Sequence, residues 1–327
     1  MIEELDNQVA TLKELARQKD KVDARKKSGT KSSESEVGKA PSERKVPHTM
    51  AITSGKGGVG KTLVTVNLAI NYARLGLKVL LIDADLGLAN IDVVLGVTPK
   101  FTIEDVLSGE LTLDEVAVQG PLGITILPAA SGVAELSNLT EEQKLALMDH
   151  IDHWHADFDV VLVDTGAGIS PNVRFFVLAV ERIMIVVTPD PASITDAYAL
   201  MKVMFMNHRV SHFDLVVNQV SSEKEAKDVY RTLSQVADKY LNIGMNFAGS
   251  IPEDPLLVKS VRQQRPVADL FPEAPASQAF IALSKRVMRM WQQKRNDDGR
   301  MIFFWRRLLN ETPKDDQPKD DQETTKE

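Results

Sequence analysis

Residues 54–62 read Ser-Gly-Lys-Gly-Gly-Val-Gly-Lys-Thr, and this stretch decides the fold. A short apolar run, residues 49–53, precedes it, and a helical pattern, residues 63–75, follows it. A strand, a glycine-rich loop and a helix are the context that a phosphate-binding P-loop requires, and the G-x-x-x-x-G-K-[ST] spacing is met. The sequence therefore predicts that this loop binds the phosphates of a nucleotide.

The residue types in this loop each have a chemical reason. Glycines let backbone N–H groups converge on one point, and a helix N-terminus favours anions. We expect Lys61 to reach the outer phosphates and the Thr62 hydroxyl to bind magnesium. The nucleotide-binding residues predicted from this stretch are Gly55, Lys56, Gly57, Gly58, Val59, Gly60, Lys61, Thr62 and Leu63.

The composition excludes several classes of protein. None of the 327 residues is a cysteine, which excludes disulfides, thiolate metal sites and iron–sulfur chemistry. A net charge of −7 does not favour nucleic-acid binding. The first twenty residues are too charged for a signal peptide, and no run of about 18 apolar residues predicts a membrane span. We expect a soluble, cytoplasmic protein.

Between residues 47 and 295, apolar runs alternate with helical patterns. This alternation predicts a single α/β P-loop NTPase domain, with a mostly parallel sheet and helices on both faces. Ligands bind at the carboxyl edge of such a sheet. The predicted strands are residues 49–53, 78–82, 124–127, 160–163, 183–187, 213–217 and 245–251. The predicted helices are residues 63–75, 141–154, 171–180, 194–207 and 223–241.

Carboxylates end two of the predicted strands. Asp83 and Asp85 follow residues 78–82, so they lie near the P-loop if the two strands are neighbours. Asp85 is then placed to polarise an attacking water, and Asp83 to support the magnesium shell. The alternative is that they only cap the next helix. The run Asp-Val-Val-Leu-Val-Asp ends in Asp164, a Walker B pattern that predicts contact with magnesium or its water.

The second lysine of the loop points to a family. Lys56 makes the loop read Lys-Gly-Gly-x-Gly-Lys-Thr, which resembles the deviant Walker A motif of MinD/ParA ATPases. Residues 83–92 and 165–169 are similar to the two switch segments of that family. The resemblance implies that Asp85 is the hydrolytic aspartate and that Lys56 crosses to the partner's nucleotide in an ATP-bound homodimer. Such a cation would stabilise charge on the transferring phosphoryl group.

The same resemblance implies further contacts. It places Asp196 against Lys56 across the dimer and Asn218 on the adenine. The guanine-specifying N-K-x-D motif is absent after Asn218, so ATP with Mg²⁺ is expected rather than GTP. Pro252, Glu253 and Asp254 are expected to close the base pocket, more through backbone than through side chains.

The ends of the chain differ in composition from the domain. Residues 1–17 have helical apolar spacing, and residues 18–46 have the composition of a disordered linker. Residues 300–309 combine apolar and cationic side chains on a predicted amphipathic helix that targets the membrane, and residues 310–327 form an acidic tail predicted to be disordered. The alternative is packing of this helix on the domain. The predicted membrane contacts are Met301, Phe304, Trp305, Leu308, Arg306 and Arg307.

Within the family, the chain most resembles the MinD-like branch that controls flagellar number, FlhG (also called FleN). Residues 7–13 are similar to its activator motif, and Gln8, Leu12 and Lys13 are expected to activate the partner, although Lys13 replaces an arginine. The resemblance implies binding to the flagellar GTPase FlhF, flagellar switch-complex proteins, a flagellar transcription activator and inner-membrane lipid. The protein is then peripheral on the cytoplasmic face of the inner membrane.

Two other functions stay open at this point. One is a MinD-type ATPase for division-site selection, which needs a MinC-like partner. The other is a ParA-type DNA-partitioning ATPase, which needs salt-dependent DNA binding by the ATP dimer. The acidic balance and the lipid-like helix speak against the second, and no nucleic-acid partner is expected.

Overall fold

The computed structural model describes residues 46–85, 90–129, 139–154 and 156–293. The predicted terminal helices (1–17 and 300–309) and the acidic tail (310–327) lie outside these residues, as does the linker up to residue 45. The proposed partner-activating and membrane-contacting side chains are therefore outside them too. Within the described ranges, no helix is both long enough and apolar enough to cross a membrane.

The predicted parallel sheet is confirmed, and eight of its strands lie within the described ranges. The strands are β1 (His48–Ser54), β2 (Val79–Ala84), β3 (Val118–Gln119), β4 (Thr125–Leu127), β5 (Val160–Ala167), β6 (Arg182–Val187), β7 (His212–Val220) and β8 (Gly244–Pro252). Their order in the sheet is β3-β4-β2-β5-β1-β6-β7-β8, and all neighbouring pairs are parallel except β3–β4.

The helices cover both faces of the sheet, as expected. The helices are α1 (Lys61–Arg74), α2 (Ile91–Leu95), α3 (Ile103–Leu107), α4 (Leu113–Val116), α5 (Glu141–His153), α6 (Pro171–Leu178), α7 (Pro191–His208), α8 (Glu223–Leu241), α9 (Pro255–Arg262), α10 (Val267–Leu270) and α11 (Pro275–Gln293). Helices α5 to α8 pack on the face of the sheet that carries Val163 and Val187. Helices α1, α9, α10 and α11 pack on the face that carries Leu162 and Val186.

Burial explains why the central strands read as continuous apolar runs. All six residues of β2 are buried, and so are the residues of β1 from Met50 to Ser54. Because helices cover both faces, alternate residues of one strand enter two different cores. Ala51 faces one core and Ile52 faces the other.

The short helices were not predicted, because four or five residues show no apolar period. They are stabilised by local caps instead. Thr102 and Asp105 form a reciprocal capping box at α3, and Thr112 and Glu115 form another at α4. The carboxylate of Asp254 accepts from the backbone N–H of Leu256 (2.9 Å) and of Ala276 (3.0 Å), so it stabilises the starts of α9 and α11.

Side chains from two helices cover the edge strand β8. The Tyr230 hydroxyl of α8 donates to the Met245 carbonyl (2.9 Å), and the Arg286 guanidinium of α11 donates to the Phe247 carbonyl (3.2 Å). The Phe247 ring lies between the two, 5.4 Å from the Tyr230 ring and 6.0 Å from the Arg286 guanidinium carbon. Both faces of this edge are therefore packed.

A buried ion pair joins three strands. Arg182 of β6 donates twice to Asp214 of β7, at 2.7 Å and 2.6 Å, and Asn246 of β8 donates to the same carboxylate at 3.0 Å. The side chain of Asp214 is only 3% exposed. A carboxylate so buried is stable only while its partners remain.

This ion pair leads to a stability prediction. The Arg182→Met variant leaves an unpaired buried carboxylate, so we expect unfolding to become easier by about 3–5 kcal/mol in urea titrations. The double variant Arg182→Met/Asp214→Leu removes both charges and should recover much of that loss. Equal or greater destabilisation of the double variant would contradict this account.

Candidate nucleotide-binding site

The P-loop joins β1 to α1 in the predicted place. Gly58 and Gly60 have φ angles of 77° and 91°, a region that favours glycine. Val59 between them is 2% exposed, so its side chain anchors the loop in the core. The Gly60 carbonyl accepts from the Val64 N–H at 3.1 Å, which starts α1 directly beneath the loop.

Neighbouring strands hold the loop in shape. The Asn218 side-chain amide, at the end of β7, donates to the Val59 carbonyl at 2.8 Å. On the other side, the Gly168 N–H donates to the Ser54 carbonyl at 2.8 Å. A Cβ atom on Gly60 would lie 2.3 Å from the Asn218 amide nitrogen, so this position requires glycine for space as well.

A cavity of about 590 Å³ opens beside the loop at the carboxyl edge of the sheet. The P-loop, the start of α1 and the ends of β2 and β5 surround it. It is lined by Gly57, Gly58, Gly60, Lys61, Thr62, Leu63, Ala84, Asp85, Asn90, Gly166, Ala167, Ser170, Asn172 and Val173. Seven predicted residues therefore share one cavity, namely Gly57, Gly58, Gly60, Lys61, Thr62, Leu63 and Asp85.

Asp164 lies under the start of α1. It accepts hydrogen bonds from the hydroxyls of Thr62 and Thr65, the latter at 3.2 Å. Burial raises the pKa of Asp164, while the Thr62 hydrogen bond and the Lys61 ammonium act in the opposite direction. Burial lowers the pKa of Lys61, and the carboxylates of Asp164 and Asp85 counteract this. The lysine and the Walker B aspartate are thus electrostatic neighbours, as the motif predicts.

Asp83 is the register partner of Asp164 and is equally buried. Its carboxylate accepts three backbone N–H groups, from Asp85 (3.1 Å), Asn90 (3.0 Å) and Ile91 (3.1 Å). Burial, with the Asp164 carboxylate beside it, raises the pKa of Asp83. Strand β5 separates β2 from β1, so Asp83 and Asp85 approach the P-loop across an intervening strand and not as its direct neighbours.

Asp85 faces the second switch segment. Its carboxylate Oδ1 lies 3.3 Å from the position that a Cβ atom on Gly166 would take. The carboxylate therefore packs on the backbone of Gly166, inside the cavity that Lys61 also lines. A side chain larger than hydrogen at Gly166 would push on this carboxylate.

The residues present fit a magnesium ion. Two buried aspartates, Asp83 and Asp164, lie side by side with Asp85 nearby, and the Lys61 ammonium acts on Asp164 and Asp85. Burial raises the pKa of both Asp83 and Asp164, which is the direction expected of carboxylates that an added divalent cation would stabilise. Carboxylate and hydroxyl oxygens are also the ligands that Mg²⁺ prefers.

Lys56 points away from the cavity beside it. Its ammonium donates to the Asp190 carboxylate at 2.6 Å, and both side chains are half exposed. The contact with Lys56 lowers the pKa of Asp190. Asp190 was not predicted as a site residue. The sequence Asp190-Pro191 is nevertheless typical of a helix N-terminus, and it starts α7.

Other predicted residues lie outside the cavity lining. Gly55 packs on the backbone of Asp196 in α7, where an added Cβ would come within 2.2 Å of the Asp196 carbonyl group. Asn218 is 1% exposed, and its amide oxygen is buried with no hydrogen-bond partner among the described residues, so its contact with adenine stays a prediction. Pro252, at the end of β8, pairs with Val220 of β7, and the Glu253 N–H donates to the Val220 carbonyl.

Sequence reasoning missed seven lining residues. Ala84, Asn90, Gly166 and Ala167 lie within the two predicted switch segments but were not named as site residues, and Ser170, Asn172 and Val173 lie outside those segments. Ser170 caps α6 through the Val173 N–H, a Ser-Pro start signal that the sequence contained. Asn172 and Val173 lie on the first turn of that helix, which the second switch segment leads into. Nothing in the sequence alone indicates that Asn172 and Val173 face the cavity.

The ParA family model described as NUBPL iron-transfer P-loop NTPase matches residues 45–288. The chain belongs to the ParA/MinD family of P-loop NTPases. It is 42% identical over 260 residues to "Antiactivator FleN" of Pseudomonas aeruginosa, covering 80% of this chain and 92% of that protein. It is also 36% identical to "Flagellum site-determining protein YlxH" of Helicobacter pylori, covering 71% of this chain and 78% of that protein.

Solved structures agree with the family. The septum site-determining protein MinD of Pyrococcus horikoshii, complexed with Mg-ADP, superposes with a TM-score of 0.62. It is 26% identical to this chain, and the match covers 76% of this chain and 98% of that one. The ParA/MinD fold predicted from the sequence is confirmed, and so is the predicted resemblance to flagellar members of the family.

The tight contact at Gly55 yields a prediction about the nucleotide-free protein. The Gly55→Ala variant should lose about 1–3 kcal/mol of unfolding free energy, because the new methyl group meets the backbone of Asp196. Gly57→Ala is the matched control, since nothing lies within 4 Å of its added Cβ. We expect thermal melting to separate the two variants, and equal melting temperatures would refute the contact.

Proposed function

We propose that this chain is an ATP-hydrolysing molecular switch that dimerises on ATP and controls the number and placement of flagella. The observation that carries the hydrolytic part is the single cavity that Lys61, Thr62 and Asp85 share, with Asp164 beneath it. Membership of the ParA/MinD family and the Mg-ADP bound to a MinD relative support nucleotide and Mg²⁺ as ligands.

Each residue then has one task in the reaction. Backbone N–H groups of the glycine loop and the Lys61 ammonium bind and orient the phosphates. Magnesium, when bound, supplies positive charge that offsets charge developing on the phosphoryl group. Thr62 and Asp164 would hold it. Asp85 orients the attacking water and accepts its proton at a carboxylate oxygen.

Lys56 supports a reaction that needs two copies of the chain. Its ammonium does not line its own cavity but bonds to Asp190 on the surface nearby. A second copy facing this surface would receive Lys56 at its own nucleotide, and Asp196 near the start of α7 is the proposed contact across that interface. A cation delivered in this way acts as an arginine finger does, so hydrolysis would depend on dimerisation.

The dimer can be tested in solution. Asp85→Ala should bind ATP without hydrolysing it and run as a stable dimer with ATP and Mg²⁺ in size-exclusion chromatography with light scattering. Lys61→Ala loses the main phosphate contact, and Lys56→Ala loses the trans contact, so both should stay monomeric. A monomeric Asp85→Ala variant that binds ATP tightly would contradict the dimer.

The flagellar part of the proposal comes from the relatives. One is named as an antiactivator and another as a flagellum site-determining protein. We extend this role to the present chain, with the GTPase FlhF, switch-complex proteins and a flagellar transcription activator as proposed partners. Membrane attachment through residues 300–309 is proposed on the cytoplasmic face of the inner membrane. Two such helices in a dimer would bind lipid far more tightly than one.

A deletion strain tests the biological role. We expect supernumerary or misplaced flagella by electron microscopy, with normal division. The full chain should restore the flagellar number, whereas a variant lacking residues 300–309 should retain ATPase activity in vitro and fail to restore it. Minicells with normal flagella would instead indicate division-site selection, the role carried by the names of the MinD relatives.

A further inference from the structure

We propose that Asp83 is a positioning residue that clamps Asp85 in place, and that of the two buried aspartates only Asp164 serves the magnesium ion. This assignment rests on the proposed ATPase function. It gives different roles to Asp83 and Asp164, which the sequence analysis predicted alike as magnesium contacts. The division follows from what each carboxylate already binds.

Within the described part of the chain, the hydrogen bonds of Asp83 come from backbone N–H groups. One oxygen accepts from the Asp85 N–H at 3.1 Å, and the other accepts from Asn90 and Ile91 at 3.0 Å and 3.1 Å. Asp85 is where the chain leaves β2, and Asn90 and Ile91 are where α2 begins. The carboxylate therefore ties the exit of the strand to the start of the helix.

Asp164 makes a different set of contacts. Its described partners are the hydroxyls of Thr62 and Thr65 in α1, and Lys61 is its cationic neighbour. Thr62 lines the cavity, so the carboxylate is one side chain away from the nucleotide. Among the residues that the structure describes, no hydrogen bond of Asp83 reaches the P-loop or α1. Asp164 is thus linked to the phosphate side of the cavity and Asp83 to the Asp85 side.

The clamp bears directly on Asp85, because one of its three hydrogen bonds comes from the Asp85 backbone N–H. Asp85 lies just beyond the end of β2, and its carboxylate packs on Gly166 of the opposite segment. Asp83 is 1% exposed, so water does not compete for these hydrogen bonds. A displacement of about 1 Å in a positioned catalytic group can lower a rate about 100-fold.

Three single variants separate the two roles. Asp83→Asn keeps the size of the side chain but turns one acceptor oxygen into a donor. Asp164→Asn makes the same change on the metal side. Asp214→Asn is the matched control, because Asp214 is a buried aspartate whose partners are Arg182 and Asn246, at residues remote in sequence from the switch segments.

The first readout needs neither nucleotide nor metal. Hydrogen exchange at the amides of Asp85, Asn90 and Ile91, followed by NMR or mass spectrometry, should speed up at least tenfold in Asp83→Asn. It should change less than twofold in Asp164→Asn and Asp214→Asn. Unchanged exchange in Asp83→Asn would overturn the clamp, even if the protein proves not to hydrolyse ATP.

The second readout is the dependence of ATP hydrolysis on Mg²⁺. In Asp83→Asn we expect kcat to fall 10- to 100-fold, while the Mg²⁺ concentration at half-maximal rate stays within twofold. In Asp164→Asn that concentration should rise at least tenfold. A tenfold rise in Asp83→Asn would show that Asp83 is a metal ligand and would refute the assignment.

A further variant covers the case in which Asp83→Asn does not fold. Asp83→Glu keeps the charge and moves the carboxylate outward by one methylene, so a metal ligand could adapt while the three backbone contacts could not. We expect fast amide exchange and low kcat with unchanged Mg²⁺ dependence. Normal kcat together with weakened Mg²⁺ dependence would contradict the clamp. A complete lack of ATPase activity in the unaltered protein would instead count against the proposed function.

Discussion

The parallel pairing of β5 with both β1 and β2 is the constraint on which the site depends. Ile52 of β1 and Asp83 of β2 are both register partners of Asp164 in β5. Strand β1 leads into the P-loop and β2 leads into Asp85, so β5 between them sets the distance between the P-loop and Asp85. A slip of one residue in either pair would turn Asp164 to the opposite face of the sheet.

The second consequence of this register is electrostatic. Asp83 and Asp164 are forced side by side in an environment that excludes water, which is costly for two negative charges. The protein offsets part of the cost with backbone N–H groups at Asp83 and with hydroxyls and Lys61 at Asp164. The proposed magnesium ion would offset the negative charge that remains.

Much of this could be predicted from the sequence, because the decisive signals are local. The P-loop spacing, the apolar strands and the terminal aspartate of β5 each lie within about ten residues. The order of the strands could not be predicted, because neighbours in the sheet are distant in the chain. For the same reason the sequence did not reveal that Asp190 holds Lys56, or that Asn218 supports the Val59 carbonyl.

The different tasks of Asp83 and Asp164 also lay beyond sequence reasoning. Both are aspartates near the end of an apolar strand, and a pattern treats them alike. What distinguishes them is which donors surround each carboxylate: hydroxyls of α1 surround Asp164, and backbone N–H groups at the start of α2 surround Asp83. The short helices α3 and α4 could not be predicted for a related reason. Their capping residues are recognisable in the sequence, but four or five residues are too few to show a helical apolar period.

The covered edge at β8 has a consequence for how copies of this protein meet. Exposed edge strands recruit strands from other molecules and lead to open-ended aggregates. Here Tyr230 and Arg286 occupy the Met245 and Phe247 carbonyls that an incoming strand would need. Growth by strand addition at this edge is therefore suppressed, so β8 does not act as a template for fibres.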